Sequence, residues 1–361
     1  MRSFGVEEEL LLIEASSLQP MPIGEYLADH SRGPIPTGHR LSVEFQQEQL
    51  EVINPPCTTL GEQLATIRAG RALADAAARE VGGRVVALAT APAPATTHLV
   101  PDHRFEQIAA WGGITARQQL TGGFHVHVQI DSRAEGVAIL DRARIWLPSL
   151  LALSSNSPFW DGTDTGFHSY RYQLLNRWPA SGPTDVFGSA TAYDRHCEHL
   201  LASRATLDAG MFYFDARLSE HHPTVEIRVA DVCWDPEHAA VLATLVRALA
   251  ETSARRWQAG HPPAPVPTSV LRAWMWQASR CGVESYLINP HTGTPAPAGD
   301  VVTHLLELLH PVLTEYDELD AVEPVLATIL REGTGAHHQR EAHGVEKDLT
   351  GVIRAALPAI A

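Results

Sequence analysis

The segment "GVEEEL" (residues 5–10) places Glu7, Glu8 and Glu9 directly before the apolar run of residues 10–13. The composition of residues 4–13 predicts a β-strand, and alternate residues of a strand point to opposite faces of a sheet. Glu7 and Glu9 should therefore share one face, whereas Glu8 should lie on the other face among apolar neighbours. We expect Glu8 to lie outside any site that the other two glutamates build, and its role is open.

Three further predicted strands repeat this division into one apolar face and one ionisable face; they cover residues 48–54, 124–130 and 224–232. If the four strands belong to one sheet, its polar face collects Glu7, Glu9, Glu51, His125, His127, Glu226 and Arg228. Four carboxylates on one surface repel each other unless cations compensate them. Carboxylate oxygens with imidazole suit Mg²⁺ or Mn²⁺ better than zinc.

Two other interpretations of this pattern remain open. Alternating strands also occur in any sheet with one face in water. The pair His125 and His127 alone would also fit a metal-dependent hydrolase or oxygenase.

The composition excludes several classes of function. Of the 27 Lys and Arg residues only Lys347 is lysine, so a Walker A lysine or a pyridoxal Schiff base has almost no candidate. The net charge of −15 argues against a nucleic-acid partner. No apolar run reaches the roughly 18 residues that a membrane span needs. The four scattered cysteines and the lack of a signal-peptide pattern lead us to expect a cytoplasmic location.

The order of elements predicts an α+β fold in a single catalytic domain, 1–361. Its first part, about 1–235, should be strand-rich and carry the metal site, and about 236–361 should be mostly helical, which is compatible with a homodimer. The patterns predict helices at 60–82 and 135–153, a strand at 84–90 and a hairpin from 211–219 and 224–232. The long, aromatic-rich segment 157–183 should be a functional loop.

Several motifs together resemble the YbdK-type carboxylate–amine ligases of the glutamate–cysteine ligase type 2 family, from about residue 4 to 345. They are "FGVEEELLLIE", "QLEVINPPCTTL", "GGFHVHVQI", "GTDTGFHSYRYQ", "MFYFDARLS", "TVEIRVADVC" and "GTGAHHQR". The resemblance implies a glutamine-synthetase-like fold: a curved antiparallel sheet that forms an active-site funnel, with helices packed on its outer face. It also implies ATP-dependent formation of an amide through an acyl phosphate. The archetype joins L-glutamate to L-cysteine; the same chemistry with another amine or carboxylate is the alternative.

The resemblance also implies roles for individual residues. The metal ligands, for two or three Mg²⁺ (or Mn²⁺) ions, would be Glu7, Glu9, Glu51, His125 and Glu226. Arg228 would contact the transferring phosphate, and Arg171 would hold a substrate carboxylate. Arg217 is a weaker match, for which a salt bridge with Asp215 is the alternative. His127, Asn156 and Tyr170 would line the substrate and nucleotide site. His168 departs from the family pattern where a small residue is expected, which leaves the amine undetermined.

Overall fold

The computed structural model describes residues 1–31 and 37–360. Its strands are β1 (Phe4–Glu14), β2 (Arg40–Val43), β3 (Gln49–Ile53), β4 (Gly83–Val86), β5 (Gly123–Gln129), β6 (Phe159–Trp160), β7 (Thr163–Asp164), β8 (Ala216–Leu218), β9 (Thr224–Asp231), β10 (Tyr286–Asn289) and β11 (Thr294–Pro297). Its helices are α1 (Gly24–His30), α2 (Leu60–Arg79), α3 (His103–Gly112), α4 (Ile114–Arg117), α5 (Arg133–Ala143), α6 (Leu147–Ser154), α7 (Tyr170–Leu175), α8 (Ala190–Ala202), α9 (Pro236–Gln258), α10 (Thr268–Cys281), α11 (Ala298–Glu315), α12 (Leu319–Glu332), α13 (Gly335–Glu346) and α14 (Leu349–Ala356).

Seven strands form one antiparallel sheet in the order β2-β3-β1-β5-β9-β8, and β4 pairs with the second half of β1. The register brings the ionisable residues of neighbouring strands into direct opposition. Glu9 pairs with Glu51, Glu7 pairs with His125, and His127 pairs with Glu226. We call this face of the sheet the polar face.

The opposite face of the sheet packs under helices α2, α5, α6 and α9. Its side chains are apolar and buried, and they include Val6, Phe124, Val126, Val225 and Ile227. Helix α2 begins with a capping box in which Thr59 and Glu62 satisfy each other's backbone N–H groups. Burial of one face under helices leaves the polar face as the open side of the sheet.

Glu8 lies on this helix-covered face and is fully buried. It forms an ion pair with the equally buried Arg71 of α2, whose Nη2 lies 2.7 Å from Glu8 Oε1. The same guanidinium donates to the carbonyls of Cys233, Trp234 and Ala359 at 2.7, 3.0 and 3.2 Å. Strand alternation therefore separates Glu8 from the polar face, and Arg71 provides its countercharge.

Residues 236–360 are mostly helical, with the β10–β11 hairpin and a stretch without regular structure at 259–267, and α9 packs against both α2 and α5. None of the helices in the described ranges combines the length and apolar composition that a membrane crossing requires. The predicted helix at 135–153 consists of α5, one 3-10 turn and α6. The predicted strand at 211–219 is shorter, because a 3-10 turn occupies 209–211 and β8 begins only at Ala216. The predicted loop at 157–183 contains β6, β7 and α7.

Candidate active site

A cavity of about 370 Å³ lies over the polar face. The carboxylates and imidazoles of β1, β3, β5 and β9 line its floor. One side of the cavity is apolar, and we call it the end wall; it consists of Phe45, Phe105, Ile108, Leu175, Trp178 and Tyr213. The cavity thus combines a highly charged floor with an aromatic boundary.

Three groups of ligand atoms on the floor have the spacing that a metal ion needs, with all atoms of a group within 4.8 Å of one another. The groups overlap, because Glu7 belongs to two of them and Glu51 belongs to two. They are Glu7–His127–Glu226, Glu7–Glu51–His125 and Glu9–Glu44–Glu51. The floor is therefore a continuous row of three candidate cation positions joined by shared carboxylates.

The electrostatics of this row fit divalent cations. The Nε2 atoms of His125 and His127 are buried and have no hydrogen-bond partner among the described residues. Burial, with the charge of Glu9, raises the pKa of Glu44 to about 8. Burial, with the charge of Glu7, also raises the pKa of Glu51 well above its usual value. Carboxylates this crowded hold protons unless a cation replaces them, and oxygen-rich sets of this kind suit Mg²⁺.

The pKa values of Glu7 and Glu226 are lowered, in contrast to those of Glu44 and Glu51. Burial alone would raise the pKa of Glu7, but two neighbouring imidazoles hold it well below its usual value. His125 Nδ1 lies 3.4 Å from Glu7 Oε2, and His127 Nε2 lies 3.5 Å from Glu7 Oε1. Burial likewise opposes ionisation of Glu226, but the charges of Arg228 and Arg217 lower its pKa. These two carboxylates are thus ionised on their own, at the end of the row that also carries positive charge.

Two arginines surround Glu226. Arg217 Nε lies 2.6 Å from Glu226 Oε2, and Arg228 Nη1 contacts Glu226 Oε1. Arg217 therefore pairs with Glu226 and not with Asp215, which was the alternative partner from the sequence. Both guanidinium groups line the cavity beside the Glu7–His127–Glu226 group. A transferring phosphoryl group placed there would meet two positive charges next to a cation position.

Arg171 approaches the floor from α7 and is almost fully buried. Its Nη1 lies 3.9 Å from Asp231 Oδ1, whereas its Nε has no partner among the described residues. A Cβ atom at Gly123 would lie 2.3 Å from Arg171 Nη2, so only glycine leaves room for this guanidinium. The Gly123 N–H donates to Glu9 Oε2 at 2.6 Å, which places Arg171 next to the Glu9–Glu44–Glu51 group.

Asp231 organises the segment that carries Arg171. This fully buried carboxylate accepts hydrogen bonds from the Asn156 N–H and the Ser157 and Ser169 hydroxyls at 2.8, 2.7 and 2.8 Å. Asp231 reaches this position through a β-bulge. Between Phe124 and Val126 of β5 lies one residue, whereas two residues lie between their partners on β9. The extra residue brings Asp231 to the same face as Glu226 although five positions separate them.

Two of the residues predicted to line the site lie away from the cavity. Asn156 is fully buried, donates to the carbonyls of Ala87 and Val232, both at 2.8 Å, and accepts from Gln339. The Tyr170 ring packs near Trp160 and Phe167. The structure brings the other predicted site residues to the cavity: Glu7, Glu9, Glu51, His125, His127, Arg171, Arg217, Glu226 and Arg228.

His168 also lies outside the cavity lining. Its Nδ1 is 3.7 Å from Glu284 Oε1, and a Cβ atom at Gly282 would lie 2.7 Å from the same nitrogen. Burial lowers the pKa of His168 to about 4, so the ring is neutral near pH 7. The departure from the family pattern at this position therefore concerns the packing behind α7, and it leaves the floor of the cavity unchanged.

Sequence reasoning missed Glu44, Asp231 and Arg104. Glu44 follows directly after β2 and so escapes a search confined to alternating strand positions. A signal was available, since Glu44 directly precedes the polar turn that leads into the strand carrying Glu51. Asp231 was hidden because the bulge reverses the alternation that placed Glu226. Arg104 belongs to a helix that the sequence analysis did not assign.

Comparison with known proteins identifies the family of the chain. Residues 3–356 match the family described as glutamate-cysteine ligase family 2 (GCS2). A Paenarthrobacter aurescens protein provisionally named glutamate–cysteine ligase 2-1 is 49% identical over 99% of this chain and 94% of its own length. A Streptomyces coelicolor protein provisionally named glutamate–cysteine ligase 2 is 42% identical over 98% of both chains.

Solved structures show the same fold at low sequence identity. The bifunctional glutathione synthetase of Pasteurella multocida aligns with a TM-score of 0.74 and 16% identity, over 99% of this chain and 52% of that chain. The glutamate–cysteine ligase of Francisella tularensis, solved with AMP, aligns with a TM-score of 0.71 and 14% identity, over 99% and 88% of the two chains. The predicted α+β, glutamine-synthetase-like fold is thereby confirmed.

Proposed function

This chain belongs to glutamate–cysteine ligase family 2 and is an ATP-dependent ligase, and we propose that it joins the γ-carboxylate of L-glutamate to the amine of L-cysteine. The observation that supports the proposal most strongly is the row of overlapping ligand groups on the polar face, which ends beside Arg217 and Arg228. A site with several cation positions and adjacent arginines is what phosphoryl transfer requires.

We propose that the row holds two or three Mg²⁺ (or Mn²⁺) ions when ATP is present. Glu7, Glu9, Glu51, His125 and Glu226 would be ligands, as the family resemblance implies, and His127 and Glu44 would join them because they belong to the same groups. Such ions neutralise phosphate charge and hold the triphosphate in line with the attacking oxygen.

The reaction has two steps. The glutamate γ-carboxylate attacks the γ-phosphorus of ATP, so that a C–O–P linkage forms, the bond to the β-phosphate oxygen breaks and ADP leaves. The amine then attacks the acyl carbon, the C–N bond forms, inorganic phosphate leaves and the nitrogen releases a proton. Arg228 and Arg217 would stabilise the negative charge of the transferring phosphoryl group.

Arg171 would hold a carboxylate of the acid substrate. Its Nε is buried without a partner among the described residues, which is the state of a guanidinium that awaits an anion. Its position next to the Glu9–Glu44–Glu51 group would place the acid at the opposite end of the row from Glu226. The reacting carboxylate and the phosphate would then meet between the two ends.

The test is phosphate release by the purified protein with ATP, Mg²⁺ and L-glutamate, with and without each member of an amine panel that includes L-cysteine. Mass spectrometry identifies the product. Phosphate release that depends on glutamate and cysteine, with γ-glutamylcysteine as product, would support the proposal. Turnover with another amine only would show that cysteine is not the acceptor, while the assignment as a ligase would stand. No turnover with any amine would contradict the proposal.

A pair of variants connects the activity to the polar face. Glu9→Gln removes one charge from a candidate cation position, and we expect the rate to fall at least about 100-fold while the protein stays folded. Glu323→Gln is the matched control, because Glu323 is an exposed glutamate on α12. Wild-type turnover in the Glu9 variant would show that Glu9 is not a ligand.

A further inference from the structure

Helix α3 closes the funnel between the two edges of the main sheet. Strands β2 and β8 are the outermost strands of the sheet order. On the β2 side, Phe105 of α3 packs edge-on against Phe45, with 5.5 Å between ring centroids. On the β8 side, Arg104 of α3 pairs with Asp208, which lies in the segment leading to β8. The end wall is therefore held in place from both edges of the sheet.

Arg104 lies on the cavity side of this helix, where Asp208 orients its half-exposed guanidinium. Its Nε and Nη2 donate to the two oxygens of Asp208 at 2.6 and 2.9 Å, a bidentate arrangement that leaves Nη1 for another acceptor. A Cβ atom at Gly210 would lie 2.4 Å from Arg104 Nη2, so a side chain there would displace the guanidinium from this position. Both Arg104 and Gly210 line the cavity.

Aromatic side chains lie near Arg104, and the candidate phosphate-binding residues are two other arginines. Its guanidinium carbon lies 6.0 Å from the centroid of the Phe105 ring, and Tyr213 also lines this side of the cavity. Burial raises the pKa of Tyr213 to about 12, so the phenol remains a neutral hydrogen-bond donor. The candidate phosphate arginines, Arg217 and Arg228, are instead engaged with Glu226.

A ligase that joins two amino acids must recognise both substrates, and each of them has an α-carboxylate that takes no part in the reaction. The site so far described provides a cation for only one of these two carboxylates. Arg171 serves the acid substrate at the floor. Arg104 is a second, separately anchored guanidinium, and it stands beside an apolar surface. Together they provide what an α-amino acid with an apolar side chain needs, namely a cation for its carboxylate and an aromatic surface for its side chain.

We propose that Arg104 binds the α-carboxylate of the amine acceptor, whose side chain rests on the end wall. The acceptor is then an α-amino acid with a small or medium apolar side chain, a class that includes cysteine, and simple amines without a carboxylate are poor substrates. This inference rests on the proposed ligase function and adds the acceptor class to it.

The experiment compares acceptors with and without a carboxylate in the same assay. Cysteine is paired with cysteamine, 2-aminobutyrate with propylamine, and leucine with 3-methylbutylamine, all with ATP, Mg²⁺ and glutamate. Hydroxylamine, which traps acyl phosphates as hydroxamates, reports the first chemical step without an acceptor carboxylate. We expect kcat/KM to be higher for each amino acid than for its decarboxylated partner.

The variant Arg104→Gln should lower the ratio of kcat/KM for an amino acid to that for its partner amine by about 10- to 100-fold, the value of a charge-assisted contact. Asp208→Asn keeps the guanidinium but loosens its anchor, and it should lower the ratio by a smaller factor. Arg133→Gln is the matched control, because Arg133 pairs with Asp194 in another exposed Arg–Asp pair away from the cavity lining. It should leave the ratio unchanged.

Each outcome decides the proposal. A ratio near one in the wild type, or an unchanged ratio in Arg104→Gln, would overturn the assignment of Arg104 while hydroxamate formation still supported the ligase. Absence of hydroxamate from the wild type would mean that the proposed function itself fails, and the acceptor assignment would fail with it. A melting curve for each variant confirms that the folded state is compared.

Discussion

Glu8 and Glu9 are neighbours in sequence with opposite surroundings. Glu9 faces the candidate cation row, where removal of its charge should affect catalysis. Glu8 is buried against Arg71 behind the sheet, and a buried ion pair that loses one partner leaves an uncompensated charge. Replacement of glutamate by glutamine should therefore lower the catalytic rate at position 9 and the stability of the fold at position 8.

The variant Glu8→Gln should lower the free energy of unfolding by about 3 kcal/mol or more, because the Arg71 charge stays buried without its counterion. Urea denaturation at neutral pH measures this change. The exposed Glu323→Gln control should remain within about 0.5 kcal/mol of the wild type. A loss as small as that of the control would show that the backbone carbonyls around Arg71 are sufficient compensation.

Asp215 is a second buried carboxyl whose state depends on pH. Its Oδ2 accepts a hydrogen bond from the Tyr172 hydroxyl at 3.0 Å, whereas its Oδ1 has no partner among the described residues. Burial raises the pKa of Asp215 from 3.8 to about 7 in spite of the Tyr172 hydrogen bond and the charge of Arg171. The folded state therefore holds a proton that the unfolded chain releases between these two pH values.

The stability that this group contributes is fully present below its unfolded pKa of 3.8. It decreases as the pH rises from 3.8 to about 7, the pKa in the folded state, and is lost above that pH. Asp215→Asn removes the titration, so its free energy of unfolding should decline less than that of the wild type between pH 5 and 7, by about 2–3 kcal/mol. Denaturant titrations at both pH values test this. Asp194→Asn, at a half-exposed position, is the control. Identical slopes for Asp215→Asn and the wild type would contradict the prediction.

At the scale of elements, the contact between β5 and α7 depends on one missing side chain. A Cβ atom at Gly123 would meet Arg171 Nη2 at 2.3 Å and His125 Nε2 at 3.0 Å. Gly123→Ala should therefore displace Arg171, and a displacement of about 1 Å lowers kcat/KM for the acid substrate on the order of 100-fold. Steady-state kinetics with varied glutamate measures the effect.

The control for that substitution is Gly61→Ala on α2, where a Cβ atom meets nothing within 4 Å. Alanine favours helix over glycine by up to about 1 kcal/mol, so this variant should be equally active and at least as stable. Wild-type kinetics in Gly123→Ala would show that α7 can shift to accommodate the methyl group.

Strand periodicity explains which site residues the sequence could reveal. Glu7, Glu9, Glu51, His125, His127 and Glu226 sit at alternate positions of regular strands, and the structure brings all six to one cavity. The rule fails where the backbone departs from regularity, as at the bulge that repositions Asp231 and at the end of β2 before Glu44. The resemblance placed Asn156 at the site, whereas its side chain donates to two buried backbone carbonyls.

Other features of the fold were beyond single-sequence reasoning. The pairing order of the sheet depends on contacts between distant segments, so the sequence could suggest one sheet for the four strands but not that β1 pairs with β5. The position of α3 across both sheet edges depends on Phe45 and Asp208, which lie far from it in sequence. Such long-range contacts leave no periodic trace.

At the scale of the whole molecule, we expect the carboxylate row to make stability depend on divalent cations, as the proposed function implies. A ligand that binds only the folded state stabilises it by about 2.7 kcal/mol at 100 times its dissociation constant. We therefore expect Mg²⁺ to raise the melting temperature by several degrees over NaCl of equal ionic strength. The double variant Glu9→Gln/Glu51→Gln should lose most of this shift, and an equal shift in that variant would argue against binding at the row.

The hydrogen bonds of Arg71 also have a consequence for biosynthesis. Arg71 donates to the carbonyl of Ala359, 288 residues later in the chain, and Ile360 is buried in the core beside Leu10 and Leu12 of β1. At 5–20 residues per second, the ribosome needs roughly 15–60 s to add that stretch. Throughout this interval Glu8 and Arg71 are already part of the nascent chain, but the Ala359 carbonyl that accepts from Arg71 has not yet been made. Strand β1, which bears candidate cation ligands, is thus made long before the segment that completes its enclosure, and a chaperone that shields apolar β1 would have its greatest effect during that time.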